Sequence, residues 1–253
     1  MPRPVTVTAT RRLTPRLVSI TVTGDDLGAY ATAAPTSHLK VFFPGPDGSL
    51  ELPTPGPDGP VWPQDGPRPT VRTYTPRCYD ADTNSLAIEF VLHGTGPAAH
   101  WAAHAEVGDR LAVAGPGGRF TLDPTVVRWK ILGDESALPA IATLLEALPT
   151  SATADVHLEV EDDTDHIALR APDVTNVTWH HREGAGYGTA LVQAARALTV
   201  DPDARVWVAC EAQTVRQIRR ELLGAGHDQA TLTTRGYWRA GEENHPDHDY
   251  GDD

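Results

Sequence analysis

The spacing of apolar residues changes near Pro124 and divides the 253-residue chain between two fold classes. Before this point, apolar residues alternate with threonine and serine, which is the period-two pattern of half-buried strands. The connections are rich in glycine and proline, above all between Pro44 and Pro69, where we expect a long loop. The first half predicts a small antiparallel β-barrel over residues 1–123, with six strands at 5–13, 17–23, 38–43, 71–75, 86–92 and 110–114.

After Pro124, short apolar strands alternate with helical patterns. The helix expected to begin at Ala137 places its apolar residues on one face, at a spacing near 3.6. Such alternation is typical of βαβ units, which build a parallel sheet with helices on both faces. We therefore predict a Rossmann-like α/β domain at 124–240 and an acidic, mobile tail at 241–253. The predicted strands are 129–132, 154–160, 177–181, 205–209 and 230–235, and the helices are 137–148, 189–197 and 211–223.

Charge and composition exclude several classes of partner. The formal net charge of −13 argues against nucleic acid and against an anionic membrane surface. No run approaches the roughly 20 apolar residues of a membrane helix, and the N-terminus lacks the apolar core of a signal peptide. Cys78 and Cys210 are far apart, so we expect free thiols in a cytoplasmic protein. The histidines are scattered without a full set of ligands, so no metal site is predicted.

The motif RTYTPR at 72–77 carries a cation, an aromatic ring and hydroxyl groups on an extended segment. Side chains two residues apart on a strand point the same way, so Arg72 and Tyr74 share a face. A guanidinium can pair with a pyrophosphate through two hydrogen bonds, and a neighbouring ring suits a flavin. Taken alone, the segment is equally consistent with an ordinary edge strand.

A glycine-rich turn, HGTGPAAHW at 93–101, separates a predicted strand from a predicted helix at 97–105. Glycine lets the backbone approach a ligand closely, and a helix start presents free N–H groups and the positive end of a dipole. Pro97 suits the first turn of that helix, where its missing N–H costs little. The turn is a candidate phosphate cradle, although on its own it also matches a plain strand-to-helix connection.

Three segments of the second half lie at strand ends, where a doubly wound sheet binds its ligand. The first, GDESALPA at 133–140, opens a helix for which we predict Ser136 as N-cap. The second, CEA at 210–212, is also consistent with a plain turn. The third, GYWR at 236–239, is either core packing or an aromatic cover on a cofactor, and Arg239 needs an anionic partner if it is buried.

Six motifs follow one another in order between about Val5 and Arg239: RTYTPR, HGTGPAAHWA, GDRLAVAGP, GDESALPAI, WVACEA and GYWRAG. In this combination the chain resembles the siderophore-interacting protein family, the flavin-dependent ferric-siderophore reductases of the ferredoxin-reductase-like superfamily. The resemblance implies FAD in the barrel and NADH or NADPH as electron donor in the second half. It also implies a ferric siderophore as substrate, with Lys40 and Arg239 at its entrance. A local cationic rim of this kind is what an acidic protein needs in order to bind an anionic chelate.

The resemblance also implies roles for individual residues. Arg72, Tyr74 and Thr75 hold FAD, and His93 with the turn at 96–99 surrounds its pyrophosphate. GDESALPA and CEA contact the nicotinamide nucleotide. The complete set of predicted cofactor contacts is Arg72, Thr73, Tyr74, Thr75, His93, Gly94, Gly96, Pro97, Ala98, Ala99, Trp101, Gly133, Asp134, Glu135, Ser136, Ala137, Pro139, Cys210, Glu211, Ala212 and Trp238.

Two positions depart from the family pattern. Ala99 stands where many relatives carry a hydroxyl residue, so one phosphate contact is lost while the backbone donors remain. Cys210 stands where relatives often have a smaller residue. Because the flavin carries the redox chemistry, we interpret Cys210 as a packing residue.

The implied reaction is the reduction of a ferric siderophore. Electrons pass from NAD(P)H through FAD, one at a time, to siderophore-bound Fe(III), and Fe(II) is released because oxygen ligands hold it less firmly. No side chain need act as acid, base or nucleophile, so no catalytic residue is predicted. Three alternatives stay open: an FAD-dependent reductase of another acceptor, a siderophore-binding module without turnover, and a reductase that accepts electrons from a ferredoxin-type protein.

The choice between NADH and NADPH depends on the acidic run EVEDD at 159–163, which ends the second strand of the nucleotide domain. Carboxylates at this place bond a ribose 2′-hydroxyl and repel a 2′-phosphate, which favours NADH. A solvated acidic turn explains the run equally well, and the family is often described as NADPH-dependent. Both nucleotides therefore remain open.

Overall fold

The computed structural model describes residues 1–57, 59–63, 68–93, 96–118 and 120–243. Contacts between Cα atoms divide the chain into two compact units, one from Met1 to Thr121 and one from Leu122 onward. The predicted mobile tail lies almost entirely outside the described residues. In the described part of the chain, every helix is too short or too polar to cross a membrane.

In its described residues, the first unit is an antiparallel sheet with one α-helix and one 3-10 helix, Leu27–Thr32. Its strands pair in the order β6-β3-β9-β1-β2-β8-β7, and a separate hairpin joins β4 to β5. The elements are β1 (Arg3–Thr14), β2 (Leu17–Thr23), β3 (His38–Phe43), β4 (Thr54–Gly56), β5 (Gly59–Val61), β6 (Thr70–Tyr74), β7 (Pro76–Asp80), β8 (Ser85–Val91), α1 (Pro97–His104) and β9 (Arg110–Gly117).

Thr75 alone separates β6 from β7, the two edge strands of this sheet. The sheet must therefore curl until its edges meet, because one residue spans less than about 4 Å. The predicted antiparallel class is confirmed, but the main sheet has seven strands in the described residues rather than six. The prediction missed β7. This strand begins with a proline, and its alternation of apolar and polar residues is too short to predict a strand. The hairpin β4–β5 lies within the predicted loop between Pro44 and Pro69.

The second unit is a five-stranded parallel sheet in the order β12-β11-β10-β13-β14. Since all strands run the same way, their carboxyl ends meet at one edge. The predicted Rossmann-like class is confirmed, and each element lies within a few residues of its expected position. The elements are β10 (Arg128–Asp134), α2 (Leu138–Ala147), β11 (Thr153–Val160), β12 (Val174–His181), α3 (Thr189–Ala197), β13 (Ala204–Glu211), α4 (Ala212–Gly224) and β14 (Leu232–Trp238).

Helices cover both faces of the parallel sheet. Leu132 of β10 packs with α3 and α4 in an apolar cluster that also contains Val208 and Cys210. The next residue, Gly133, faces the opposite side and lies against Ile141 of α2. This arrangement leaves the carboxyl edge as the place where loops from both faces converge.

Candidate flavin and nucleotide sites

The strand β6 presents its two faces differently. Arg72 pairs across the sheet with Val41, and Tyr74 with Leu39. Both partners are fully buried, so Arg72 and Tyr74 lie on the inner face of the sheet, as the alternation predicts. Thr73 points the other way, where its Oγ1 accepts a hydrogen bond from the Lys40 Nζ at 2.8 Å. The structure thus groups Thr73 with Lys40 rather than with the other candidate flavin residues.

Tyr74 belongs to an aromatic cluster that links β6 to α1. Its ring centroid lies 4.5 Å from that of Phe90 and 6.3 Å from that of Phe43. Trp101 of α1 packs on the same two rings, at 6.1 and 5.4 Å. Burial raises the pKa of Tyr74, so its hydroxyl stays protonated at neutral pH. Two motifs that are far apart in sequence, RTYTPR and HGTGPAAHW, are therefore brought together.

The start of α1 has the chemistry of an anion site. Its N-cap, Gly96, makes no side-chain capping bond, Pro97 occupies the first turn, and that turn contains no acid. The backbone N–H groups of this turn therefore keep their donor capacity. Among the residues that the structure describes, no atom lies within 4 Å of a Cβ placed on Gly96.

A cation on β6, an aromatic ring and an uncapped helix start together suit a flavin nucleotide, so the residues present fit FAD. Thr75 is buried where the chain passes from β6 to β7. His93 lies just beyond the end of β8, and Ala98 and Ala99 are buried on α1. The predicted contact at Gly94 lies outside the described residues. Arg77, the last residue of RTYTPR, forms a 3.7 Å ion pair with the buried Glu89, which gives it a structural role.

In the second unit, Asp134 joins three segments that the sequence analysis identified separately. Its Oδ1 accepts hydrogen bonds from the Ser136 N–H at 3.0 Å and from the Ser136 hydroxyl. Its Oδ2 accepts bonds from the Glu211 N–H at 3.1 Å and from the Trp238 indole N–H at 2.8 Å. GDESALPA, CEA and GYWR therefore meet at one buried carboxylate.

The turn before α2 differs from the prediction in one respect. The N-cap of α2 is Ala137, and Ser136 bonds Asp134 instead of capping the helix. A Cβ on Gly133 would lie 2.6 Å from the Ile141 Cδ1, so glycine is needed for α2 to approach the strand. Ala137 and Pro139 are buried in the first turn of the helix, and neither offers a polar side chain.

Carboxylates at the same edge cap the other two helices. The Glu159 carboxylate accepts the N–H groups of Gly188 at 2.7 Å and Ala190 at 3.2 Å, at the start of α3. The Glu211 carboxylate accepts the Thr214 N–H at 2.9 Å, at the start of α4. Ala212, the first residue of α4, is fully buried. Glu159 is 1% exposed and has these backbone partners, so it cannot serve as the ribose ligand that the argument for NADH requires.

Cys210, Trp238 and Arg239 occupy different surroundings. Cys210 is packed among apolar side chains from α3 and α4, and burial raises the pKa of its thiol, which supports a packing role. The Trp238 indole donates to Asp134 and is partly buried. Arg239 has the anionic partner that the sequence called for, since its Nη1 lies 3.2 Å from the Glu242 Oε1.

Arg182 and Tyr187 are residues that the sequence reasoning missed. Arg182 follows β12 directly and forms two hydrogen bonds to the Glu135 carboxylate, at 2.6 and 2.7 Å. Its guanidinium carbon lies 4.8 Å from the centroid of the Tyr187 ring. One signal was available, because an arginine at the end of a third parallel strand faces the same edge as the EVEDD run.

Gly188 offers a test of how the edge is packed. Its φ is +79°, and a Cβ there would lie 2.1 Å from the Thr214 Oγ1 and 2.7 Å from the Thr214 Cβ. Replacing Gly188 by alanine should lower the free energy of unfolding by about 2 kcal/mol or more, through strain and overpacking. Urea denaturation measures this. The matched control is Gly224→Ala at the end of α4, where a Cβ meets nothing within 4 Å and no loss is expected. Equal stability of the two variants would contradict the packing described here.

Comparison with known proteins identifies the fold and the family. A ferredoxin reductase of carbazole 1,9a-dioxygenase shares the fold at TM-score 0.67 and 18% identity, over 94% of this chain and 70% of that one. The model of the siderophore-interacting FAD-binding domain matches residues 6–120, and that of the siderophore-interacting protein matches residues 128–241. The chain belongs to the siderophore-interacting protein family and carries its FAD-binding domain.

Individual relatives are similar over nearly their full length. Ferric vibriobactin reductase ViuB of Vibrio cholerae serotype O1 is 35% identical, over 92% of this chain and 88% of the relative. The NADPH-dependent ferric-chelate reductase of Escherichia coli K12 is 31% identical, over 94% and 93%. The crystal structure of a siderophore utilization protein from T. fusca superposes at TM-score 0.88 with 36% identity, over 98% and 96%.

Proposed function

We propose that this protein is a ferric-siderophore reductase that uses FAD and a nicotinamide nucleotide. The observation that carries the proposal is the likeness over more than nine-tenths of the chain to relatives named as ferric vibriobactin and ferric-chelate reductases. We assign FAD to the barrel, residues 1–123, and the nucleotide to residues 124–240. A ferric siderophore is the proposed substrate, a cytoplasmic location stays a prediction, and neither nucleic acid nor a membrane is a proposed partner.

Bound FAD would supply the redox chemistry, because a flavin can take up two electrons from a nicotinamide nucleotide and release them in the single-electron steps that Fe(III) requires. The protein's own residues bind and orient. Arg72 and the uncapped start of α1 supply positive charge for the pyrophosphate, and Tyr74 supplies an aromatic surface. No side chain has to move a proton for Fe(III) to be reduced, which is consistent with a site built from a cation, a ring and backbone donors.

NADPH is the favoured donor in this proposal. Two of the carboxylates that would select NADH already bond backbone groups, since Glu159 caps α3 and Asp162 accepts the Thr164 N–H at 3.0 Å. The E. coli relative is named as NADPH-dependent. Steady-state kcat/KM for the two nucleotides tests this, and a strong preference for NADH would contradict it. If neither nucleotide reduces the flavin, a ferredoxin-type protein becomes the favoured electron donor.

The function itself is tested with the purified protein, FAD, NADPH and a ferric siderophore in air-free buffer, with a coloured Fe(II) chelator as trap. Fe(II) should form only when all components are present. Turnover of a quinone but of no ferric chelate would favour the reductase of another acceptor. A protein that binds no FAD and consumes no NADPH would favour the binding module without turnover.

Lys40 is the proposed cationic contact for the anionic chelate in the first unit. Replacing Lys40 by alanine should raise KM for an anionic ferric chelate about threefold to tenfold, with FAD content unchanged, because a local cation attracts the chelate to an acidic protein. The increase should shrink at high ionic strength. Arg12→Ala is the control, since Arg12 is exposed on β1 and bonds the Pro15 carbonyl. An unchanged KM in Lys40→Ala would refute the cationic-rim hypothesis.

A further inference from the structure

A series of side-chain contacts, closed by the peptide bond between Asp134 and Glu135, lies at the carboxyl edge just before α2. We refer to its members as the edge network: Asp134, Glu135, Arg182, Tyr187 and Trp238. The Glu135 carboxylate holds Arg182, whose guanidinium lies against the Tyr187 ring. Tyr187 meets Trp238 edge to face at 4.7 Å between centroids, and the Trp238 indole donates to Asp134, the neighbour of Glu135. The circuit thus connects the ends of β10, β12 and β14.

Arg182 is the buried cation of this circuit. Its side chain is 4% exposed, although arginine is rarely buried unless it is paired. Besides the two bonds to Glu135, its Nε lies 3.3 Å from the Glu161 Oε2 and its Nη1 lies 3.6 Å from the Glu159 Oε1. One guanidinium therefore joins the turns that follow β10 and β11 to the end of β12.

These contacts have a consequence for an anionic ligand. The turn at the start of α2 is the proposed nucleotide-phosphate site, and it carries Glu135 beside the buried Asp134. Uncompensated carboxylates at this place would repel a polyanionic dinucleotide, because like charges interact strongly where water is excluded. Arg182 neutralises Glu135 through its two hydrogen bonds to that carboxylate. It also holds Tyr187, which is 49% exposed at the same edge.

We propose that Arg182 is a positioning residue for the nicotinamide nucleotide: its bidentate pair with Glu135 and its contact with Tyr187 hold the carboxyl edge in the arrangement that admits the phosphates. The inference rests on the proposed function, since it assumes a nucleotide at this edge. Arg182 does not touch the nucleotide in this account. It acts through Glu135 and Tyr187, so a defect should appear in nucleotide binding and spare the remaining steps.

The test separates the two half-reactions in the FAD-loaded protein. In Arg182→Gln, the NADPH concentration that half-saturates flavin bleaching near about 450 nm should rise about tenfold or more, as expected when a charged hydrogen-bonded pair is lost. The bleaching rate at saturating NADPH should change less than about threefold. Reoxidation of dithionite-reduced protein by ferric citrate should match the wild type. Arg182→Lys keeps the positive charge but cannot form the two parallel hydrogen bonds of a guanidinium. Its half-saturating NADPH concentration should lie between those of the wild type and Arg182→Gln.

Two further measurements distinguish positioning from a general loss of stability. The NADPH defect of Arg182→Gln should diminish with added salt, because repulsion by Glu135 is screened. The double variant Glu135→Gln with Arg182→Gln should recover much of the affinity, since it removes the charge that Arg182 neutralises. If Arg182→Gln does not fold, Arg182→Lys and the double variant provide the test. Arg196→Gln is the control, because Arg196 forms a comparable 2.6 Å pair with Glu221 at an exposed site.

The outcomes are separable from those of the proposed function. If neither NADPH nor NADH bleaches the wild-type flavin, a nicotinamide nucleotide is not the electron donor. The proposed function is then refuted in this respect, and so is the inference about Arg182. If the wild type is reduced and Arg182→Gln has wild-type NADPH affinity, the inference alone is refuted. The inference is also refuted if the loss of NADPH affinity does not change with salt concentration and the double variant does not recover that affinity. Arg182 would then affect NADPH binding only through the stability of the fold.

Discussion

Replacing Arg72 by alanine should strip FAD from the protein. A charged hydrogen-bonding partner of the pyrophosphate contributes about 1.5–3 kcal/mol, so the dissociation constant for FAD should rise about tenfold to a hundredfold. Arg72 lies on the inner face of β6, on the same side as Tyr74 and the aromatic cluster that leads to α1. The measurement is the flavin absorbance that remains after desalting, followed by titration with FAD.

The control for this variant lies in the same motif. Arg77 is also a cation of RTYTPR, but it pairs with Glu89, so Arg77→Gln should keep its FAD while losing some stability. If Arg72→Ala retains FAD as firmly as the wild type, or if Arg77→Gln loses it equally, β6 does not bind the cofactor in the way proposed.

Replacing Asp134 by alanine should produce the largest loss of stability among the variants considered. The substitution removes the acceptor of the Trp238 indole N–H and of the Ser136 and Glu211 backbone N–H groups. A stranded buried donor costs about 1–3 kcal/mol, so the free energy of unfolding should fall by about 3 kcal/mol or more. Urea denaturation at about pH 4, followed by tryptophan fluorescence, measures this loss where the contribution of Asp134 is still present. Asp203→Ala is the control, because that carboxylate is 77% exposed and should contribute less than about 0.5 kcal/mol.

The same carboxylate should give a pH signature. Burial and the neighbouring Glu135 raise the pKa of Asp134 from its usual 3.8 to about 7. Because the pKa is higher in the folded state, the stability that Asp134 contributes is fully present below about pH 3.8 and is lost as pH rises through about 7. The stability difference between the wild type and Asp134→Asn should therefore decrease from pH 4 to 7. A difference that stays constant across this range would contradict the raised pKa.

The fold class could be derived from the sequence because two different periodicities meet near Pro124. Period-two alternation and βαβ alternation each specify a layer architecture without long-range information. What the sequence could not supply was the seventh strand, β7, at one edge of the sheet. β7 is a short strand that begins with Pro76. It lies at the edge of the sheet that is not occupied by β6, and this position follows only from the order of the strands.

The candidate site could be predicted as a set of segments but not as a set of contacts. The sequence placed GDESALPA, CEA and GYWR at one edge, because parallel strands align their carboxyl ends. The sequence did not show that Asp134 bonds residues of the other two segments. An aspartate that accepts four hydrogen bonds has the same sequence signature as any other acidic residue before a helix. Ser136 was therefore expected to cap α2. In the structure, the backbone N–H and the hydroxyl of Ser136 both donate to the buried Asp134 carboxylate instead.

Arg182 shows the other limit of sequence reasoning. The EVEDD run was interpreted either as a ribose ligand or as a solvated turn, and the structure gives two of its acids a different role. Glu159 caps α3, and Glu161 pairs with Arg182. An arginine about 20 residues downstream neutralises these acids because β11 and β12 lie side by side, and that proximity belongs to the topology rather than to the local pattern.

The central claim is that electrons pass from a nicotinamide nucleotide through bound FAD to siderophore-bound Fe(III). It is tested most directly by a two-stage anaerobic titration of the purified FAD-loaded protein. NADPH should bleach the flavin band near about 450 nm with one nucleotide per flavin. A ferric siderophore added next should restore the band while two equivalents of Fe(II) are trapped per flavin. A flavin that NADPH leaves oxidised, or a reduced flavin that a ferric siderophore fails to reoxidise, would contradict the account.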